Sequence, residues 1–320
     1  MFYSYSKIRS FEKCPLQFRY RYIERIPADI ESIEAFTGKR VHEVLEALYR
    51  ALAVEPRPPS LPELLALYDA AFERAWHTAV EVVKAETTPL DYHRLGRRCL
   101  ATFFRGNWPF AADRTLGLEE EIEFPLAGPD GPQLTGVIDR VAAEDSGHLV
   151  IHDYKTSTYL PRKEEILGDL QLAIYELGAR ARWPERADSK LVWHYLAFGR
   201  RITVRLGSLG LAEKRAEIAA AIGAIERATA AGQFPARISP LCRWCAYRSI
   251  CPAQESGLAV EGEKPEIPLA SFWPPPPGPE AVAPLPHDPH PGLVLPPPKK
   301  RRGRWGDTPA GVAHGQLDLL

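Results

Sequence analysis

The chain has 320 residues, 45% of them hydrophobic, with a formal net charge of −1 and a pI near 6.8. That size holds one large domain or two small ones and buries a full core without cross-links. Balanced charge excludes overall basicity as a route to nucleic acid, so a polyanion must meet a local basic surface. No window approaches eighteen unbroken apolar residues, and the start, Met1 to Cys14, lacks the charged and apolar regions of a secretory signal. No membrane span and a reducing, cytoplasmic setting are therefore expected, with the cysteines as thiols or metal ligands.

In chain order, Ser6 is positioned to cap a short helix running toward Cys14. Val41, Leu45, Leu48 and Ala51 fall at helical spacing and predict a helix over 33–52. Further helical stretches are expected at 61–84 and 91–104. The period then changes: 119–126, 133–143 and 149–156 are short and β-rich, separated by Gly128-Pro129-Asp130-Gly131 and Asp145-Ser146-Gly147. A helix over 162–182, strands over 190–198 and 201–206, and a helix over 212–231 follow. The expected fold is a mixed α/β domain over 1–254, with a helical insertion at about 33–115 before its sheet. About half of the 31 prolines lie after Cys251, so 255–320 reads as an extended, disordered tail. No internal repeat is evident.

The densest chemistry lies in two neighbouring strands, Gly136-Val137-Ile138-Asp139-Arg140 and Val150-Ile151-His152-Asp153-Tyr154-Lys155-Thr156. Alternation puts Asp153 and Lys155 on one face, and pairing of the strands would set Asp139 beside Asp153. Adjacent carboxylates repel unless a cation neutralises them. Hard oxygen ligands select Mg²⁺ or Mn²⁺, which activate water and polarise a phosphodiester, and a neighbouring ammonium steadies the developing charge. A lone D-x-K is an ordinary hairpin end. Here the acids arrive abruptly after buried apolar runs, as at the end of a core strand. On the preceding strand Glu119 and Glu121 offer either a further metal ligand or a solvated strand face, and they stay outside the expected site.

These residues resemble the metal-binding core of PD-(D/E)xK nucleases of the RecB type. The resemblance implies a restriction-endonuclease-like mixed sheet flanked by helices. It also implies a histidine ahead of Leu-Glu on an upstream helix, met by His42 in Gly38 to Glu46, and a glutamine and tyrosine four apart, met by Gln171 and Tyr175. By this resemblance His42, Asp139, Asp153 and the Tyr154 carbonyl hold metal. Lys155 is catalytic, and Gln171 and Tyr175 hold the active site or the DNA strand.

Cys242, Cys245 and Cys251 form C-x2-C-x5-C, with Cys14 far upstream. Four thiolates hold either zinc or an iron–sulfur cluster, and spacing does not separate the two. AddB subunits and CRISPR-associated adaptation nucleases carry one cysteine before the core and three after it, with Cys-Pro at the first and last. Cys14-Pro15 and Cys251-Pro252 resemble that arrangement, which implies a 4Fe-4S cluster stapling the termini. Cys99 reads as a core residue.

The segment Gln17-Phe18-Arg19-Tyr20-Arg21-Tyr22 either stacks single-stranded bases or packs its aromatics inward. In the tail, Lys299 to Arg304 is a basic run suited to phosphate or to solubility. Gln316-Leu317-Asp318-Leu319-Leu320 resembles the bacterial sliding-clamp binding peptide and departs from it at Leu320. No G-x-x-x-x-G-K-[ST] occurs, so a helicase would be a separate partner. The expectation is a metal-dependent DNA exonuclease acting on single strands or ends in repair or recombination. The alternatives are a CRISPR adaptation-type nuclease and a non-cutting DNA-binding or clamp-associated scaffold.

Overall fold

The computed structural model describes residues 1–186, 189–253 and 292–295. The basic run and the C-terminal peptide lie outside the described residues. Among those residues eight α-helices and a separate pair of two-residue strands surround one mixed sheet. In order they are β1 (Phe2–Tyr3), α1 (Tyr5–Lys13), α2 (Pro15–Phe18), β2 (Glu31–Ser32), α3 (Ile33–Val54), α4 (Leu61–Ala75), β3 (Val80–Glu81) and α5 (Pro89–Asn107). Then come β4 (Arg114–Pro125), β5 (Gln133–Ala143), β6 (Leu149–Lys155), α6 (Lys163–Gly168), α7 (Leu170–Arg182), β7 (Ser189–Tyr195), β8 (Arg200–Val204) and α8 (Gly207–Ala231).

The sheet is mixed, in the order β1-β5-β6-β7-β8 with β4 on the other edge of β5. One apolar core joins the sheet to α1, α7 and α8 through residues such as Ile8, Ile138, Ile174 and Ile222. A second core is built by α3, α4 and α5 and takes in Tyr154 from the sheet and Leu196 just after β7. The helices before the sheet thus cover one of its faces, and α3 can deliver a side chain onto it. No helix among the described residues is long and apolar enough to cross a membrane.

Several elements differ from expectation, each for a local reason. Ser4, not Ser6, caps α1, its hydroxyl accepting from Lys7 N–H at 3.3 Å. The helix expected to run to Lys84 ends at Ala75, because Val80–Glu81 pairs in parallel with Glu31–Ser32, a long-range contact that helical propensity cannot report. β4 begins five residues before Glu119, at Arg114, and the register shift between Thr115 and Gly117 breaks its alternation. The helix expected over 162–182 is two, split at Asp169, which ends α6 and caps α7. β7 stops at Tyr195, and a 3-10 turn (Leu196–Phe198) with Gly199 at φ 60° returns the chain into β8.

A polar network lies buried behind the sheet. Arg140, 2% exposed, pairs with Asp113, donates to Thr115 Oγ1 at 2.9 Å and lies 3.8 Å over the Tyr49 ring. His152 Nε2 meets Asp113 Oδ2 at 3.0 Å, and its Nδ1 meets His194 Nε2 at 2.9 Å. Burial, outweighing the Asp113 hydrogen bond, lowers the His152 pKa from 6.5 to about 4. The folded chain therefore refuses a proton that the unfolded chain accepts, and stability falls as pH drops from 6.5 toward 4. Thermal melts over this window are expected to lose up to about 3 kcal/mol through His152. His152→Gln should give a shallower slope; an unchanged slope would show that His152 is not held neutral.

Candidate metal centre

The site forms where the sheet forks. β5 pairs with β4 along its length, with β1 at Gln133 and Leu134, and with β6 only from Arg140 to Ala143. β6 continues beyond His152 on β7, through Asp153, Tyr154 and Lys155. The ladder between β5 and β6 ends at the Arg140–His152 pair, and Asp139 and Asp153 stand at the opening. Asp139 Oδ2 accepts the Tyr154 N–H at 2.8 Å, replacing the ladder bond that β5 no longer supplies.

α3 brings His42 to this fork. Its neighbours Val41, Val44 and Leu45 are fully buried, which fixes the rotation of the helix. His42 Nε2 lies 2.8 Å from the Tyr154 carbonyl, an acceptor only, so Nε2 carries a hydrogen. Nδ1 then faces Asp139 Oδ1 at 3.4 Å. Burial works against the charged imidazole, but the Asp139 carboxylate beside it prevails and lifts the His42 pKa to about 9.

β4 contributes Glu119. It falls between the Leu118–Arg140 and Glu120–Ile138 pairs, level with Asp139, at φ 47°. A non-glycine residue in the left-handed region is held there by its surroundings at a cost of about 1–3 kcal/mol. One ligand atom each from His42, Glu119 and Asp139 lies within 4.8 Å of the others. Two carboxylates and an imidazole at that spacing suit a divalent metal ion. Asp153 adds a second sign of fit: its Oδ2 is buried and has no aligned hydrogen bond, although Lys155 Nζ is 2.9 Å away.

The structure thus brings His42, Asp139, Asp153, Tyr154 and Lys155 together, with one change of grouping. The compact trio contains Glu119, which the sequence reading left out. Asp153 instead faces Lys155, and the Tyr154 oxygen faces His42. Three consecutive glutamates on one strand carried no mark of which would turn inward. The left-handed backbone at Glu119 sets that, while Glu121 is exposed.

Lys155 Nζ donates to Gln171 Oε1 at 2.8 Å, and Gln171 Nε2 donates to Tyr175 Oη at 2.9 Å, one turn further along α7. Burial disfavours the Lys155 ammonium, but Asp153 outweighs it and the pKa is raised, so the group stays charged. Burial pushes the Asp153 carboxyl up, against the pull of Lys155.

The four cysteines converge as well. Cys14 follows α1; Cys242, Cys245 and Cys251 lie in or beside the 3-10 turns Pro240–Trp244 and Arg248–Ile250; all four line one cavity of about 120 Å³. Cys14 Sγ accepts from Arg237 N–H and Cys242 Sγ from Ser239 N–H, each at 3.4 Å. Burial, with the three other sulfurs nearby, pushes Cys245 up to about 11. Cys99 is fully buried in the helical core, as expected. The aromatics of the Gln17–Tyr22 segment pack inward: Phe18 is fully buried against Phe11 and Tyr22, and Tyr20 lies against Tyr247.

The family model for the PD-(D/E)XK nuclease superfamily matches residues 3–252, and the chain belongs to that superfamily. No curated protein matches it. A crystal structure of an exonuclease candidate from Eubacterium rectale aligns at 12% identity and a TM-score of 0.48, covering 82% of this chain and 90% of that one. The crystal structure of SSO0001 aligns at 14% identity and a TM-score of 0.29, covering 78% and 94%.

Glu119→Gln should weaken Mn²⁺ binding, measured by calorimetry, by about tenfold or more, while Glu121→Gln leaves it within about twofold. Equal effects would remove Glu119 from the ligand set.

Proposed function

We propose that the chain is a Mg²⁺- or Mn²⁺-dependent deoxyribonuclease, an exonuclease on single-stranded or end-bearing DNA in repair or recombination. The observation that carries the chemistry is the His42–Glu119–Asp139 trio beside a buried carboxylate–ammonium pair. The resemblance to RecB-type nucleases supports the exonuclease mode.

In this reading His42 Nδ1, Glu119 and Asp139 hold the ion, with Asp153 beside them. The bound ion supplies charge neutralisation and Lewis-acid polarisation of the scissile phosphodiester. The Tyr154 carbonyl keeps the hydrogen of His42 on Nε2, leaving Nδ1 its lone pair, as an outer partner does for a ligating imidazole. Lys155, charged and aimed by Gln171, orients the attacking water and stabilises charge gathering on the phosphate. Tyr175 holds the Gln171 amide in the orientation that presents oxygen to the lysine.

For the cysteines we propose a 4Fe-4S cluster that ties the end of α1 to the segment after α8. The all-sulfur donor set, the shared cavity and the backbone N–H groups aimed at two sulfurs support it. The domain reading is a nuclease body over 1–254 and a tail over 255–320. DNA is the proposed substrate, the sliding clamp a proposed partner through Gln316 to Leu320, and a helicase a proposed separate one.

With end-labelled single- and double-stranded DNA and Mg²⁺ or Mn²⁺, Lys155→Ala should cut cleavage by about 10³-fold or more while DNA affinity stays within about threefold. A wild-type chain that binds DNA and never cleaves it would make it a scaffold. Anaerobic purification should yield a coloured protein with iron and acid-labile sulfide in equal amounts; a colourless protein with stoichiometric zinc would end the cluster assignment.

A further inference from the structure

The buried Tyr5 and the half-buried Asp169 lie outside the proposed chemistry, and Asp169 stands where the sequence pattern runs as unbroken helix. Asp169 separates α6 from α7. Its Oδ1 accepts the Gln171 N–H at 2.8 Å, capping α7, and its Oδ2 accepts the hydroxyl of Tyr5 at 2.9 Å. Tyr5 is the first residue of α1. Gln171 is the residue that receives Lys155 Nζ at 2.8 Å. A continuous line of hydrogen bonds therefore runs from α1 through Tyr5, Asp169 and Gln171 to Lys155, whose ammonium lies 2.9 Å from Asp153.

We infer that Tyr5 and Asp169 are positioning residues, a strut by which α1 sets the place of Lys155. The inference rests on Lys155 serving as the catalytic cation.

Three features make this a strut and not a chance contact. The break at Asp169 frees the start of α7 from α6, so Gln171 takes its position from the cap. A lysine ammonium only donates, so the Gln171 amide must offer oxygen, and a tilt of the first turn of α7 moves that oxygen directly. A cavity of about 760 Å³ opens beside Tyr5 and Asp169, among α1, the start of α7 and α8, so the first turn of α7 has room to shift when the cap is lost. Near the middle of α1 Ile8 is fully buried, and Cys14 of the four-thiol cavity follows Lys13, about 13 Å from Tyr5 along the helix. The strut thus links the cysteine cavity to the reacting centre through a single helix.

The test uses the full chain and three variants, with cleavage kinetics, melting temperature and hydrogen exchange of amides 170–175 read together. Tyr5→Phe and Asp169→Ala should lower kcat about tenfold with KM for DNA within about twofold, since small misplacements near a reacting centre cost that much. Both should speed exchange at amides 170–175 without changing it in α3. Asp169→Asn keeps an oxygen for the Gln171 N–H and offers an N–H to Tyr5 Oη, and should recover kcat to within about threefold of wild type. Unchanged kcat in both disrupting variants, a lower melting temperature with unchanged kcat, or unchanged exchange would each overturn the strut. Wild type without cleavage, or Lys155→Ala cleaving normally, would overturn the nuclease reading instead, and exchange at 170–175 would still judge the strut.

Discussion

The ladder between β5 and β6 stops at Arg140 and His152, and the Asp139 carboxylate takes up the Tyr154 N–H left behind. A buried amide without a partner is costly, so the carboxylate is held in the plane of the opening sheet. One of its oxygens is committed to that backbone bond, while the other is turned toward His42. Behind the last pair, Arg140 and His152 share the Asp113 carboxylate, clamping the ladder at the place where it must end. Charges buried this deeply destabilise unless paired, and here each has its partner. The fork is thus specified from both sides, and the candidate centre is assembled at it.

Two cores meet at Tyr154. Its ring belongs to the helical core, against Phe103 and His194, while its backbone N–H and C=O hold Asp139 and His42. The packing of α3, α4 and α5 therefore bears directly on the ligand geometry: displacing α3 moves His42 relative to a carbonyl only 2.8 Å away. On the other face, α7 presents Gln171 and Tyr175 to Lys155, and its close approach to the sheet is visible at Gly178, where a Cβ would come within 2.2 Å of Ile122 Cδ1. Each layer supplies one part of the constellation, and the sheet carries the acids and the lysine.

The ends of the folded body meet away from this centre. Cys14 lies next to three cysteines more than two hundred residues later, and Tyr20 and Tyr247, ring against ring, line the space about them. Such a closure costs chain entropy that local packing alone repays poorly, which is where a bound inorganic group would contribute most. Because α1 leads from Tyr5 to this cavity, the closure and the lysine side of the centre share one rigid element.

Much was legible in residue order alone. The acid after each apolar run, the alternation that sets Asp153 with Lys155, and the one-turn spacing of Gln171 and Tyr175 are local patterns, and periods of two and 3.6 residues report which side chains share a face. The β-rich run of β5 and the long amphipathic α3 were readable as well, from composition and from period. What residue order could not convey is pairing at a distance. Glu119 enters the trio because β4 aligns it with Asp139 and the backbone turns over at that residue. Asp169, where the helix breaks, is bonded by a hydroxyl 164 residues away, and the early end of α4 accompanies a two-residue strand pairing. Local propensities differ by fractions of a kcal/mol per residue, so a single cap, bulge or distant hydrogen bond outweighs them, and those contacts exist only once the chain has folded.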